Sequence, residues 1–313
     1  MPFTDKAQVY NASINALTLG TDEKMIIIGG GNTNPLYTFD APVANAPKVG
    51  IEISDQGIDA SVPGMAAFYE GCETIAQQAA RACTAPGVDF VTLSLESADP
   101  NGANASVEAC VKLVEEVYAA VTKPLAVMSC KNIDKDTELL PAIAEALKDR
   151  NILLLSCKEE NYKTLGVGAV LGCHQSMSGE SAVDINLAKQ LNVLLSQMGV
   201  PTDQIVMNCG TAAAGYGFEY LASTIERVKS AALSQNDAML QMPIISPVGD
   251  DAWSVKEALL EEADMPAWGS REERGIQMEI VTAAAVIASG SDAVILKHPA
   301  SVKTISEMVA GLM

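Results

Sequence analysis

The residues able to do chemistry fall between short apolar runs, at what would be the ends of strands. Lysines follow three of these runs, at Lys131, Lys158 and Lys297. A lysine can form a Schiff base with a carbonyl substrate, as in an aldolase. Each of these lysines follows its run rather than lying inside it, so each also reads as a solvated rim charge. Cys130, Cys157, Cys173 and Cys209 close successive runs. Four thiolates could hold a metal, but cysteine is also a small residue that packs well on apolar strands. The acidic side chains Asp55, Glu96, Asp99, Asp250 and Asp251 occupy similar positions. They could accept hydrogen bonds from a pterin-like ring or form a solvated acidic rim. His174 and His298 are the 2 histidines, and neither sits in a nucleophile–acid pattern. His298 precedes Pro299 and reads as a loop residue. No His-Glu-x-x-His occurs, and no Asp-x-His-x-x-Gly surrounds either histidine.

The segment from Gln204 to Tyr220 has another character. A short apolar run, Ile205 to Met207, leads into Asn208, Cys209, Gly210 and Thr211. Three alanines follow, then Gly215, Tyr216, Gly217, Phe218, Glu219 and Tyr220. This pattern predicts a strand, a loop without bulk and the start of a helix. Small residues let a backbone approach a flat ligand or another protein closely. The N–H groups of a helix start can donate to such a ligand. The same composition also makes a tight turn with no ligand.

Eight apolar runs position these residues: Val49–Ile53, Phe90–Leu95, Leu125–Ser129, Ile152–Ser156, Val167–Leu171, Ile205–Asn208, Ile244–Pro247 and Ala293–Leu296. Helical patterns separate them, at 65–83, 106–121, 138–148, 159–165, 182–198, 218–233, 254–262 and 274–289. A last helix covers 302–313. Continuous apolar strands are buried on both faces, as in a parallel sheet. Eight βα units in a row predict an α/β fold, a (β/α)8 TIM barrel, ahead of an open doubly wound sheet. Asp136 and Thr137 read as the start of the helix over 138–148, with Pro141 in its first turn.

Residues 1–45 read as an extension with a short β-hairpin, Ala16 to Leu19 and Met25 to Ile28, turning at Gly20 to Asp22. Residues 46–313 read as the barrel, in one structural domain. The triple glycine Gly29 to Gly31 lacks the Gly-Lys-Ser/Thr of a phosphate loop, and Pro35 stops a helix from following.

Of 313 residues, 39 are acidic and 20 basic, a net charge of −19. Such a surface repels nucleic acid. No run approaches a membrane span, and Met1 to Lys6 show no signal peptide. Seven cysteines without a Cys-x-x-Cys fit reduced thiols and a cytoplasmic location.

Together these segments resemble a known family. Its marks are Ala98 to Asn104, Glu160 to Lys163, Asp184 to Asn186, Gly215 to Tyr220 and Trp268 to Gly275. The chain resembles the small subunit of the corrinoid/iron–sulfur protein, whose archaeal relatives are the delta subunits of acetyl-CoA decarbonylase/synthase. The resemblance covers nearly the whole chain. It implies a non-catalytic barrel paired with a large subunit that carries a [4Fe–4S] cluster and the corrinoid-binding domain. The corrinoid (cobalamin) would lie between that domain and the barrel top. The pair would take a methyl group from methyltetrahydrofolate through a separate methyltransferase. It would deliver the group to CO dehydrogenase/acetyl-CoA synthase in the anaerobic Wood–Ljungdahl pathway of carbon fixation. The resemblance implies Thr211, Gly215, Tyr216 and Gly217 as corrinoid-facing residues, with no metal ligand and no cluster in this chain. The absent Asp-x-His-x-x-Gly agrees with a subunit that does not ligate cobalt. The alternative is a pterin-binding methyltetrahydrofolate:corrinoid methyltransferase, for which Asp99, Asp184 and Asn186 are the candidates. An aldolase is disfavoured because the strand interiors contain no lysine.

Overall fold

The computed structural model describes residues 6–313, so most of the segment read for a signal peptide lies outside the described residues. The chain opens with a two-stranded antiparallel hairpin, β1 (Ala16–Leu19) and β2 (Ile26–Gly29). Eight parallel strands follow: β3 (Lys48–Ser54), β4 (Phe90–Ser94), β5 (Leu125–Met128), β6 (Leu153–Cys157), β7 (Ser176–Glu180), β8 (Ile205–Asn208), β9 (Ile245–Pro247) and β10 (Ala293–Leu296). Their order in the sheet is β8-β7-β6-β5-β4-β3-β10-β9. A bridge between Met207 and Ile244, with the Met207 N–H donating to the Pro243 carbonyl, joins the two outer strands. The sheet is a nearly closed (β/α)8 barrel.

The helices are α1 (Pro63–Phe68), α2 (Ile75–Ala82), α3 (Val107–Ala120), α4 (Ile133–Ala146), α5 (Tyr162–Leu165), α6 (Ile185–Gln197), α7 (Phe218–Ser234), α8 (Val248–Ser254), α9 (Lys256–Leu259), α10 (Arg271–Ser289) and α11 (Pro299–Leu312). Their caps are local and legible. Thr74 and Gln77 form a capping box on α2, and Asp184 accepts from the Asn186 and Leu187 N–H groups at the start of α6. The outward residues of each strand meet these helices in one large core that includes Val49, Ile51, Leu93, Val127, Met207 and Leu296.

The inward residues divide the barrel along its axis. Phe90, Leu153, Val206 and Ala293 fill the N-terminal half, and Leu17, Leu19 and Ile28 of the hairpin share their cluster. The hairpin therefore plugs the barrel floor. Gly50 makes room for this layer, because a Cβ there would collide with the Phe90 ring. Further up the strands, inward positions become polar: Glu52, Thr92, Ser94, Ser178 and Asn208 are all buried.

Several local expectations are corrected. Val167–Leu171, expected as the fifth strand, continues α5 as a wide helical turn. It is apolar on one side only, and Val167 is 52% exposed. The strand at that place in the barrel is Ser176–Glu180, whose inward positions face the polar upper interior. The helix expected over 65–83 is two, α1 and α2, broken around Gly71 at φ +78°. The α4 helix starts earlier than expected, capped by Asn132 accepting from the Lys135 N–H at 3.1 Å, so Pro141 lies mid-helix. The helix expected over 254–262 is replaced by α8, which begins directly after Pro247, and the short α9. Among the described residues, no helix is long and apolar enough to cross a membrane.

Candidate functional site

The C-terminal ends of the barrel strands carry two neighbouring features, a charged mouth and the small-residue ledge that follows β8. At the mouth, the Lys297 ammonium lies 2.6 Å from Asp250 and 3.6 Å from Glu52. Lys131 reaches the same Asp250 carboxylate at 2.8 Å. Lys158 lies 3.4 Å from Glu180, which also accepts from the Ser156 hydroxyl. Opposite charges alternate across the opening. Burial opposes the charge on Asp250, but the two ammonium groups overcome it and hold its carboxyl well below the usual range, at about 2. Burial works against the ammonium of Lys297, but Glu52 and Asp250 overcome it and raise its pKa. A lysine held charged in this way is a poor Schiff-base nucleophile.

Glu52 differs from its neighbours. It is only 2% exposed, and neither carboxylate oxygen has a hydrogen-bond partner. Desolvation pushes its pKa up to about 8. Sequence reasoning missed this residue because it stands inside the apolar run Val49–Ile53. The available signal was its position, two residues after Gly50, on the inward face of the strand. Oxygen atoms of Glu52, Glu96 and Asp250 lie within 4.8 Å of one another.

Of the acidic set read from the sequence, Glu96 and Asp250 therefore belong to one cluster. Asp55 instead accepts from the Ser97 N–H and hydroxyl, tying two loops together. Asp99 accepts from the Asn101 backbone and side chain within a turn. Asp251 stands in the first turn of α8. Asp184 is occupied as the α6 cap, and Asn186 is exposed beside it. Asp99 thus stands after β4, and Asp184 and Asn186 stand after β7.

The cysteines separate as well. Because β7 begins at Ser176, Cys173 and His174 precede that strand and lie toward the barrel floor. There the Cys173 thiol donates to Glu145 at 3.1 Å, and exposed His174 pairs with Asp149 at 2.6 Å. Cys130 donates to Asp136 at 3.2 Å. Burial pushes the Cys157 and Cys209 thiols up to about 12. His298, expected in a loop, is the buried N-cap of α11. It stacks on Trp253 and lies 3.1 Å from Glu272.

The ledge after β8 is held by backbone bonds. The Val183 N–H donates to the Cys209 carbonyl at 2.7 Å, and the Ala214 N–H to the Thr282 hydroxyl at 3.0 Å. Gly210, Gly215 and Gly217 all have φ between +85° and +99°, a region costly for residues with a Cβ. Val183 and Ala182 crowd Gly210, whereas a Cβ on Gly215 would meet nothing within 4 Å. Thr211 lines two cavities. One of about 260 Å³ reaches inward past Asn208 and Glu180 to Lys131 and Asp250. The other, about 330 Å³, runs outward with Tyr216, Asp251 and Ser254. Tyr216 is 45% exposed, and its hydroxyl donates to Glu257 at 2.6 Å. That bond raises the phenol's pKa and lowers that of the carboxyl. Thr211 and Tyr216 thus share one groove. Gly215 and Gly217 form its open shoulder at the start of α7.

The model of the CO dehydrogenase/acetyl-CoA synthase delta subunit family matches residues 16–308. The chain belongs to this family. The delta 2 subunit of the acetyl-CoA decarbonylase/synthase complex from Methanosarcina acetivorans is 32% identical over 300 residues, covering 94% of this chain and 67% of the relative. The delta subunit from Archaeoglobus fulgidus is 33% identical over 296 residues, covering 92% of this chain and 64% of the relative. The chain therefore spans about two thirds of the length of these delta subunits. Its fold is also that of dihydropteroate synthases. The Xanthomonas albilineans enzyme superposes with a TM-score of 0.57 at 11% identity, covering 95% of this chain and 98% of the other. The Vibrio fischeri enzyme gives 0.56 at 9%, with the same coverage. At such identities the likeness is one of fold.

Proposed function

We propose that this delta-family chain is the small subunit of a heterodimeric corrinoid/iron–sulfur protein. It serves a carrier that moves a methyl group from methyltetrahydrofolate, by way of a separate methyltransferase, to CO dehydrogenase/acetyl-CoA synthase. The observation that carries this reading is membership of the delta family across residues 16–308. The [4Fe–4S] cluster and the corrinoid-binding domain belong to the large subunit, and the complex is cytoplasmic. Within the N-terminal extension read over 1–45, the hairpin of residues 16–29 plugs the floor, and 46–313 form the working barrel of one structural domain.

The ledge after β8 suits a flat macrocycle. Gly215 is open on its Cβ side, three alanines precede it, and Thr211 and Tyr216 place hydroxyls along one groove. Thr211, Gly215, Tyr216 and Gly217 would meet the corrin edge, with the two hydroxyls positioned for its amide arms. The corrinoid, when bound, supplies the nucleophile and the methyl-carrying centre. The chain covers the cofactor, excludes water and orients it.

The test is co-expression with a candidate large subunit, followed by size exclusion with cobalt and visible-absorbance detection. An equimolar complex containing cobalt and iron is expected. Thr211→Ala combined with Tyr216→Ala should then lower corrinoid occupancy. Elution of this chain alone, with tight uptake of methyltetrahydrofolate, would replace the carrier reading with the methyltransferase one.

A further inference from the structure

A third cavity, of about 360 Å³, opens on the opposite side of the charged mouth, between the end of β3 and the α8–α10 segment. Its apolar walls include Ile58, Val62, Met65, Leu259 and Trp253, and Glu52 lies at its polar end beside Glu96 and Lys297. A volume of this order suits a small ligand. We propose that this cavity binds a small planar organic cation with two parallel N–H donors, an amidinium or guanidinium on an apolar body, and that Glu52 receives those donors.

Three observations carry the proposal. First, both Glu52 oxygens are buried and unpartnered, and such a carboxylate is costly until donors reach it. Its two oxygens match a planar pair of N–H groups. Second, the Lys297 ammonium already occupies a cation position there without satisfying Glu52. It lies 3.6 Å from Glu52 but makes its hydrogen bond to Asp250 at 2.6 Å. A ligand can therefore displace Lys297 from Glu52 while the bond to Asp250 stays intact. Third, the walls beyond the charged end carry Val62, Met65, Leu259 and the aromatic Trp253, while Arg271 at the rim is already paired with Asp59 at 3.3 Å, so they favour an organic body over a bare metal ion.

The charged groups facing Glu52 are Lys297, Asp250, Glu96 and Lys131, and burial dominates them in raising its pKa. A bound cation favours the carboxylate, so binding below about pH 8 releases a proton, and affinity climbs toward that pH. This reading stands apart from the methyl-carrier assignment, since the cavity lies away from Thr211 and Tyr216.

The probe is benzamidinium chloride, titrated calorimetrically into the full chain in buffers of differing ionisation enthalpy. Expected are saturable binding, proton release at pH 7, and affinity about tenfold or more lower in Glu52→Gln, the scale of a lost charge-assisted hydrogen bond. Lys297→Met, which removes the competing cation, should bind the probe more tightly, and this arm stands even if Glu52→Gln fails to fold. Equal affinity in wild type and both variants would overturn the proposal. So would an absence of heat, which would leave ordered water as the partner of Glu52. Mn²⁺ binding that depends on Glu52, without benzamidinium binding, would overturn it in favour of a metal.

Discussion

Replacing Lys229 with methionine tests what holds the barrel closed beneath the ledge. The Lys229 ammonium, 2% exposed, lies 2.6 Å from Asp292. The same carboxylate oxygen accepts from the Ile244 N–H at 2.7 Å, and Ile244 forms the bridge between β8 and β9. The lysine stem crosses Gly290, where a Cβ would come within 2.7 Å of it. Lys229→Met keeps most of this stem and removes the charge, leaving Asp292 buried with one partner. Breaking a buried pair from one side costs about 3–5 kcal/mol. For a chain of this size that corresponds to roughly 6–15 °C in Tm, at about 2–3 °C per kcal/mol. The double variant Lys229→Met/Asp292→Asn removes both charges while the asparagine oxygen still accepts from Ile244. It should therefore be more stable than Lys229→Met alone. Urea denaturation followed by circular dichroism gives both differences. A loss below about 1 kcal/mol in Lys229→Met, the range of an exposed pair, would show that Asp292 does not depend on Lys229 and refute the reasoning.

Gly50→Ala places a methyl group against the Phe90 ring, and overpacking of this kind should cost about 1–3 kcal/mol in the same assay. The Glu52 carboxyl, raised from 4.5 to about 8, keeps its proton in the folded chain across a window where the unfolded chain loses it. Wild-type stability should then fall by up to about 1.4 kcal/mol per pH unit between those values relative to Glu52→Gln. Parallel pH profiles for the two proteins would count against a protonated Glu52. Cys157 and Cys209, buried and raised to about 12, should resist a disulfide reagent at pH 8 until denaturant is added. Half-buried Cys72 should react first, and modification of all seven thiols at one rate would contradict the described burial.

The strand interiors were legible wherever both faces meet apolar neighbours. Phe90–Ser94, Leu125–Met128 and Ala293–Leu296 are strands within the bounds their composition predicts. The signal failed at β7, where Ser176, Ser178 and Glu180 face a polar interior and leave no apolar run to detect. The nearby apolar run Val167–Leu171 belongs to a helix packed on one side. Helix boundaries shifted where a local cap prevailed over the broader pattern, as Asn132 does for α4. At the ledge, the residue types announced a close-approach surface, and Thr211 and Tyr216 do share a groove. Tyr216's tie to Glu257 was not legible, since α9 is distant in sequence.

Local sequence carried the class of fold, the hairpin, seven of the eight barrel strands and the small-residue loop after Met207. These follow from periodicity and from residue size, which act over a few neighbours along the chain. Tertiary structure alone decided that Glu52, Lys131, Asp250 and Lys297 meet at one mouth, and that Cys173 and His174 lie at the other end. Barrel closure brings strands far apart in sequence side by side. A charge on one strand therefore acquires its partners, its burial and its protonation state only when the sheet wraps round.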